Sequence, residues 1–475
     1  MTKLEKNICK FTKIFSVNSE RESFSSTFGI IVATAGSAIG LGNIWRFPYV
    51  TGENGGGAFL LIYLLFVFGI GVPVMLSEMI IGRKAGANAL GAFKKLVPGS
   101  LWWLIGLMGV VAAFIILAFY STVAGWTLHY VSLSLSGNLF ADDYAAQFEN
   151  FKNSNISPVI WHIVFMILTC AIVIAGVKKG IEKYTKILMP LLVLFIILIC
   201  VRSITLPGAS KGLSFLFSPD FSKLSGNSIL AALGQAFFSL SIGMGTIITY
   251  ASYIRKKENL LKISSSVAVA DFLVAILAGI MIFPAVFAFN YEPASGPGLV
   301  FITLPRIFEQ IPAGEIFAVI FFLLLTIAAL TSSISVLEVV VAFFIEELKI
   351  KRRSATISAG IAITILGLFC TLSWSNLKNI YINVGSSTEM GETKQMFFFD
   401  MMEFTAANVL LPLGGLLIVI FVGWILKKNS AVNELSSEGT ITSKFFNALF
   451  FIIKFIAPVA IAFVFLNGIG LIGDW

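Results

Sequence analysis

Long apolar runs occupy most of the chain, and short polar connections separate them. Runs of about 20 residues or more, the length at which one helix can cross a bilayer, occur at 27–50, 57–82, 101–135, 157–176, 183–205, 228–254, 262–288, 315–346, 355–375, 397–426 and 446–470. This pattern predicts an all-α integral membrane protein with about 11 transmembrane helices. The first and sixth runs differ from the others, because small and polar residues interrupt them near their middles.

The first run is interrupted at 36–48 by the sequence GSAIGLGNIWRFP. A lipid-facing helix has no reason to contain this segment, because each backbone group that it frees would cost several kcal/mol in hydrocarbon. Broken backbone at that depth is tolerated where it lines a protected cavity, and in transporters the freed groups commonly form the binding site. The interruption therefore indicates transport.

A second interruption, QAFFSLSIGMGT at 235–246, lies in the sixth run, five spans after the first. Paired interruptions at matching positions of two five-span halves are the sequence signature of an inverted repeat with its substrate at the interface. We therefore expect one repeat at 23–205 and the other at 228–426. The remaining segments are an N-terminal segment at 1–22, an extracellular loop at 206–227, a cytoplasmic loop at 427–444 and an eleventh helix with an extracellular C-terminus at 445–475.

Charge is scarce and unevenly distributed. Only 12% of the residues are charged and 57% are hydrophobic, about half the charged fraction of a soluble domain. Lysine and arginine concentrate in alternate connections, at 83–95, 178–186, 255–262, 349–353 and 427–428. This asymmetry predicts a cytoplasmic N-terminus and places Trp475 outside. The net charge of +8 is then a signal of topology, and we expect no nucleic-acid partner.

The broken helices offer both kinds of ligand that an amino acid needs. Free N–H groups at half-helix N-termini suit a carboxylate, and free carbonyls at C-termini suit sodium or an ammonium group. Hydroxyl groups could complete an oxygen cage for a cation, or could simply bond the preceding turn of their own helices. Those hydroxyls belong to Ser239, Ser241, Thr331, Ser332 and Ser333.

Carboxylates inside apolar runs are costly and therefore informative. Asp271 stands among Val267, Ala268, Val269 and Ala270, with no basic residue near it in sequence. A structural ion pair is the alternative to a functional role there. Two further embedded carboxylates are more ambiguous. Glu78 is either a tie to the broken first helix or a ligand, and the role of Glu338 is open.

Several segments resemble the neurotransmitter:sodium symporter family, in particular its bacterial amino-acid transporters with the LeuT fold. They are AGSAIGLGNIWRFPY with ENGGGAF, GVPVMLSEMIIGR, AFYSTVAGWTL, FFSLSIGMGTIITYASY and IAALTSSIS. The resemblance runs from about Arg21 to Trp424. It implies a 5+5 inverted repeat with broken first and sixth helices, two bound Na⁺ ions, and symport of an amino acid across the bacterial inner membrane.

The resemblance also implies a set of site residues. The first sodium site would use the Ala38 carbonyl, Asn43, Ser239 and Asp271. The second would use carbonyls of Gly36, Ile39 and Ala328 with the hydroxyls of Thr331 and Ser332. The substrate carboxylate would meet Leu41, Gly42 and Tyr120, and the ammonium would meet Ala38, Phe238, Ser239 and Ser241. The side chain of the substrate would lie among Ile116, Phe238, Met244, Ser332 and Val336. Phe238 and Tyr120 would form a lid, Arg46 with Glu403 an outer gate, and Arg21 with Glu346 and Tyr253 an inner gate.

Two departures from the family pattern carry predictions. Asp271 stands where many members have Asn, and its fixed charge could replace chloride, so we expect no chloride requirement. Met244 stands where the leucine-binding relative has Phe. Because Met is flexible and contacts aromatic rings well, we expect an aromatic or large apolar substrate such as Tyr, Trp or Phe. Aliphatic amino acids (Leu, Met) are the alternative, as is an amino-acid sensor that keeps the same site.

Two other classes of membrane protein fit the sequence less well. A channel would have polar or charged rings along several helices, whereas the polar residues here cluster at two mid-depth breaks. An embedded enzyme would need a nucleophile–base pair or a metal cluster, and the chain has only 2 histidines. The partners that we expect are therefore sodium, an amino acid and membrane lipid, and the sequence leaves the oligomeric state open.

Overall fold

Long helices make up most of the computed structural model, which describes residues 22–291, 296, 298–386, 393–436 and 443–472. The helices, numbered in chain order, are α1 (Thr27–Ala38), α2 (Gly42–Glu53), α3 (Gly57–Ala85), α4 (Ala89–Leu96), α5 (Trp103–Leu135), α6 (Tyr144–Lys152), α7 (Ser157–Ile174), α8 (Val177–Ile204), α9 (Ala209–Phe217), α10 (Gly226–Ser239), α11 (Thr246–Ala251), α12 (Leu260–Ala288), α13 (Leu304–Glu309), α14 (Gly314–Glu346), α15 (Arg352–Trp374), α16 (Phe398–Ile425), α17 (Lys428–Ser436) and α18 (Phe445–Gly468). Two short strands, β1 (Tyr381–Ser386) and β2 (Thr393–Phe397), pair antiparallel in the connection between α15 and α16. This hairpin was not anticipated from the apolar pattern.

The membrane spans agree in place with the predicted runs. Within the described part of the chain, 9 helices are long and apolar enough to cross a membrane, and the bent pair α1–α2 brings the number to 10. The sixth predicted run forms α10 and α11, and neither of these short helices spans a membrane by itself. The predicted count of eleven is therefore not confirmed. Arg21, which was predicted for the inner gate, and Trp475, which was predicted to lie outside the cell, are not among the described residues.

The first helix breaks where the sequence predicts. α1 begins at the Ser26 cap, whose hydroxyl accepts a hydrogen bond from the Gly29 N–H at 3.1 Å. It ends at Ile39, whose backbone is extended (φ −77°, ψ 99°). The chain then re-enters helix at an angle of 51° to α1. This bend leaves the carbonyls at the end of α1 and the N–H groups at the start of α2 without helical partners.

Close packing explains two glycines in this break. A side-chain carbon on Gly40 would overlap the Ser332 hydroxyl and come within 3.0 Å of the Tyr120 hydroxyl. A carbon on Gly42 would lie 3.0 Å from the ring of Phe238. Only glycine lets the backbone approach these side chains, so the break is shaped by its neighbours on α5, α10 and α14.

The second break, Leu240–Gly245, is more irregular than the first. Ser241, Gly243 and Gly245 all have left-handed backbone, with φ of 54°, 87° and 75°. The Gly243 N–H donates to Oε1 of Glu78 on α3 at 2.7 Å. Glu78 is therefore tied to the second break, whereas the sequence suggested the first. Among the residues that the structure describes, its other oxygen has no hydrogen-bond partner.

The two broken helices lie inside the bundle. α1 packs against α8, α12 and α14, and α2 packs against α12. The 33-residue helices α5 and α14 pack extensively on each other beside them. We call the side of the bundle on which α1 begins the N-terminal face. There the Phe24 N–H donates to the Tyr253 carbonyl at 3.4 Å.

The substitution Gly243→Ala should destabilise the protein strongly. The left-handed backbone costs a non-glycine residue about 1–2 kcal/mol, and the new methyl group would also overlap the Leu411 carbonyl. Gly137→Ala is the matched control, because Gly137 has a φ of 72° but no neighbouring atom within 4 Å. Thermal unfolding in detergent should show a larger loss for Gly243→Ala. Equal losses would mean that the contact with Leu411 contributes nothing.

Candidate functional site

Three of the four residues predicted for the first sodium site lie in one buried cluster. The Asn43 amide donates to Oδ1 of Asp271 at 2.8 Å and to the Ser239 hydroxyl at 2.9 Å. Ser239 donates to the same carboxylate oxygen at 2.7 Å. The three side chains come from α2, α10 and α12 and are almost completely buried. The cluster therefore joins the first break, the end of α10 and an unbroken helix at one carboxylate.

Tyr63 completes this cluster, and the sequence analysis missed it. Its hydroxyl donates to Oδ2 of Asp271 at 3.0 Å and lies 3.2 Å from the Ser239 hydroxyl. The only signal in the sequence was a single phenol in the apolar run of α3. Among the described residues, Asp271 has no lysine or arginine partner, so the alternative of a structural ion pair is excluded for that part of the chain.

The residues predicted for the second cation site also lie together. The Ser332 hydroxyl on α14 lies 3.3 Å from the Gly36 carbonyl and 3.4 Å from the Ile39 carbonyl. The Thr331 hydroxyl donates to the Ala328 carbonyl at 3.0 Å, within its own helix. The end of α1 and one face of α14 thus bring five oxygen-bearing residues together. Thr331 makes the hydrogen bond to its own helix that the sequence analysis gave as the structural alternative to cation binding.

A small cavity of about 40 Å³ lies between the two breaks. Nine of the residues predicted to bind substrate line it: Ala38, Gly42, Ile116, Tyr120, Phe238, Ser241, Met244, Ser332 and Val336. The other two predicted residues lie beside it, since the Leu41 N–H donates to the Tyr120 hydroxyl at 3.2 Å and Ser239 belongs to the Asp271 cluster. Three lining residues, Ser37, Gly40 and Leu117, were missed.

Apolar and polar groups divide the wall of this cavity. The Ser241 hydroxyl donates to the Ser37 carbonyl at 2.9 Å, so the two breaks touch each other directly. Ile116, Met244 and Val336 supply an apolar part of the lining. A few fixed polar groups with an apolar wall are the usual composition of a small-molecule site.

Phe238 separates this cavity from a wider vestibule. The vestibule has a volume of about 280 Å³, and both Phe238 and Arg46 line it. The Arg46 guanidinium lies 4.8 Å from the centre of the Phe238 ring and 3.3 Å from Oε1 of Gln235. Gln235 in turn donates to the Gly42 carbonyl at 2.9 Å. Phe238 and Arg46 therefore lie between the cavity and the vestibule, whereas Tyr120, the other residue of the predicted lid, lines the cavity alone.

Tyr49 lies near both residues of the predicted outer gate, Arg46 and Glu403. Tyr49 hydrogen-bonds with Arg46, and its hydroxyl lies within electrostatic range of Glu403 as well. Sequence analysis did not identify Tyr49, because a tyrosine one turn beyond an arginine has no distinctive signal. Glu403 belongs to α16, which lines the vestibule at Ala407 and Asn408.

On the N-terminal face, the predicted inner-gate residues take separate partners. The Tyr253 hydroxyl donates to Oε1 of Glu338 at 2.8 Å, and Glu338 forms a 2.5 Å ion pair with Arg352. This pairing explains how Glu338 is accommodated inside the membrane. Glu346 accepts hydrogen bonds from the backbone and side chain of Asn88. Arg21 lies outside the described residues.

Two further carboxylates hold the start of α1, and neither was predicted. Glu182 on α8 accepts from the backbone N–H of Ser25 at 2.8 Å and from its hydroxyl at 2.5 Å. Glu258 accepts from the Thr27 hydroxyl at 2.7 Å. The N-terminal end of α1 is thereby fastened to α8 and to the connection before α12.

Comparison with known proteins agrees with this geometry. A model of the sodium:neurotransmitter symporter family matches residues 21–154 and 140–472. YhdH, an uncharacterized sodium-dependent transporter of Bacillus subtilis, is 41% identical over 452 residues, which cover 94% of this chain and 98% of that protein. An uncharacterized sodium-dependent transporter of Haemophilus influenzae is 38% identical over 466 residues, which cover 95% of this chain and 99% of that protein.

A solved structure is similar over nearly the whole chain. The crystal structure of MhsT in complex with L-phenylalanine matches with a TM-score of 0.85 and 47% sequence identity, covering 94% of this chain and 100% of that chain. The predicted fold, a helical membrane protein of the LeuT type, is confirmed. The chain therefore belongs to the sodium:neurotransmitter symporter family, a family of sodium-coupled membrane transporters and not of enzymes.

Proposed function

We propose that this transporter is a symporter that imports an aromatic or large apolar amino acid together with sodium. The observation that carries the proposal is the buried Asp271 carboxylate, which contacts both broken helices and has no basic partner among the described residues. An unpaired carboxylate is costly at this depth, and a bound cation would remove the cost. The adjoining cavity supplies a place for a second, organic solute.

Two sodium ions are proposed as cargo. The first would bind among the Ala38 carbonyl, Asn43, Ser239 and Asp271, and the second among Gly36, Ile39, Ala328, Thr331 and Ser332. Backbone carbonyl oxygens and side-chain oxygens are hard ligands that suit Na⁺. The clustering of these residues supports the assignment. Because both groups of ligands include residues of the first break, ion binding at either would fix the shape of that break.

The substrate is proposed to lie across the cavity with its charged groups at the broken backbone. Its carboxylate would accept hydrogen bonds from the N–H groups of Leu41 and Gly42 and from the Tyr120 hydroxyl. Its ammonium would donate to carbonyls of Ala38, Phe238 and Ser239 and to the Ser241 hydroxyl. The carboxylate would also meet the first sodium ion, so that ion and substrate share ligands. Shared ligands are the physical basis of coupling, because each raises the affinity for the other.

The side chain of the substrate is proposed to pack on Ile116, Met244 and Val336. Met244 is the residue that supports an aromatic side chain, since a thioether can move aside and contact a ring edge. MhsT, which is 47% identical to this chain, was crystallised in complex with L-phenylalanine. We therefore favour phenylalanine, tyrosine or tryptophan over the aliphatic amino acids.

Transport is proposed to proceed by alternating access across the bacterial inner membrane, with the N-terminus in the cytoplasm and the C-terminus outside. The vestibule above Phe238 would be the extracellular entrance, and the Arg46–Glu403 pair would close it. The N-terminal face would open next, by release of α1 from the Glu182 and Glu258 hydrogen bonds and of the Arg21–Glu346 gate. We further infer that the repeats 23–205 and 228–426 move relative to each other in this cycle.

Sodium-driven uptake is the first expected outcome. Protein reconstituted in liposomes should accumulate labelled phenylalanine when sodium is imposed on the outside only, because downhill sodium entry would drive the solute. Potassium in place of sodium is the control. Saturable uptake without single-channel currents would separate a carrier from a channel, and ligand binding with no flux would instead support a sensor.

Substrate choice is the second expected outcome. Thermal unfolding in the presence of each of the twenty amino acids should show the largest stabilisation by Phe, Tyr or Trp, because a ligand stabilises the state that binds it. The measurement should be made with and without sodium, since the proposed site shares ligands with the ion. Preferential stabilisation by small amino acids would reject the proposed substrate class while leaving sodium symport intact.

Chloride indifference is the third expected outcome. Uptake by the unmodified protein should be the same with chloride or gluconate, because the fixed charge of Asp271 would stand in for an anion. The variants Asp271→Asn and Asp271→Ser remove that charge and should become chloride-dependent wherever they retain activity. Active variants that ignore chloride would contradict the charge-substitution hypothesis.

A further inference from the structure

A lysine lies within the lipid-facing part of the last helix. Lys454 is in α18, nine residues after Phe445, roughly 14 Å along the helix axis. Its ammonium lies 4.3 Å from the centre of the Trp424 ring and 5.6 Å from that of Phe455. Both rings are widely exposed, by 57% and 46%. Since these side chains face outward from the bundle, the positive charge lies at a surface that lipid covers.

A second lysine approaches the same helix from α17. The Lys428 ammonium donates to Oδ1 of Asn447 at 3.0 Å and lies 5.7 Å from the Phe450 ring. Asn447 and Lys454 are seven residues apart on α18, which places them on the same face about 10 Å from each other. Lys427 is exposed beside Lys428. The cluster of Lys428, Lys454 and Trp424 therefore presents two cations along one helix face.

No anion of the described chain neutralises this cluster. The contacts of Lys428 and Lys454 within the described residues are with an amide and with aromatic rings, and none is with a carboxylate. By contrast, Arg83 at the end of α3 forms an ion pair with Glu434 of α17, at a distance of 2.9 Å. Lys454 lies within a membrane span, where a cation is costly unless it meets an anion. The surroundings of the cluster are thus suited to an anionic group that comes from the membrane.

An apolar groove begins close to the same place. The groove has a volume of about 320 Å³ and is lined by Leu101, Trp102, Leu104, Ile105, Met108 and Leu417. Leu417 precedes Trp424 by seven residues on α16, so the two lie on one face about 10 Å apart. Leu101 and Leu104 are exposed there. A hydrocarbon chain that starts beside Trp424 can therefore continue along α16 into the groove.

We propose that this surface binds one anionic phospholipid. Its phosphate would lie between Lys428 and Lys454, with Trp424 at the level of the glycerol and an acyl chain in the groove. Charge complementarity selects an anionic over a zwitterionic headgroup, and the groove selects a lipid over a soluble phosphate. The lipid would join α16, α17 and α18. The proposal is independent of the transported substrate.

The full-length protein can be titrated with phosphatidylglycerol and with phosphatidylcholine of identical acyl chains, and the bound lipid counted by native mass spectrometry. The unmodified protein should prefer phosphatidylglycerol. Each of Lys428→Gln and Lys454→Gln should lower that preference about fivefold, as expected for one cation near a lipid surface. The double variant should lose nearly all of it. Lys183→Gln, an exposed lysine elsewhere in the bundle, should leave the preference unchanged.

Three results would overturn the proposal. They are equal binding of both lipids by the unmodified protein, an undiminished preference in the double variant, and thermal stabilisation by inorganic phosphate equal to that by phosphatidylglycerol. Lys454→Arg keeps the charge and should keep the preference, so it separates loss of the site from failure to fold. A parallel loss in Lys454→Arg and Lys454→Gln would show that the lysine acts through packing alone.

Discussion

The hydrogen-bonded Asp271 carboxylate is the interaction on which the interior of this protein depends. It accepts from Asn43 at the start of α2, from Ser239 at the end of α10 and from Tyr63 on α3. A membrane interior offers no water to satisfy broken backbone or lone carboxylates. The same few side chains must therefore hold the breaks open and pack them against each other. The proposed ion site and the contacts that maintain the fold are here one structure.

The second break has its own supports. Glu78 accepts from the Gly243 N–H, and a side chain at Gly243 would overlap the Leu411 carbonyl. Left-handed backbone at three positions lets the chain turn within a short distance without exposing its polar groups to lipid. α3 and α16 therefore both contact the second break. Ser241 of this break also donates to the Ser37 carbonyl of the first, so movement of one break must displace the other.

Different interactions hold the structure together on the two sides of the cavity. Under the vestibule, an aromatic ring and a guanidinium cover it, a contact that a small side-chain rotation can break. On the N-terminal face, Ser25 and Thr27 are fastened by carboxylates of α8 and of the connection before α12. Several charge-assisted hydrogen bonds must be released there together. The asymmetry suits a protein whose wide vestibule is open on one side while the other side is sealed.

The sequence by itself determined where the apolar runs lie, where two of them break, and most of the residues that line the central cavity. It could do so because hydrophobic length and mid-run glycines act locally along the chain. It could not determine which distant side chains meet. Tyr63, Tyr49, Glu182 and Glu258 carry no local signal, and they were found only when packing brought α3, α2, α8 and the α11–α12 connection together. For the same reason the sequence offered Glu78 either as a tie to the first break or as a ligand, whereas it bonds the Gly243 N–H of the second break. A buried carboxylate takes whichever N–H group the tertiary structure leaves within reach, and sequence spacing does not contain that distance.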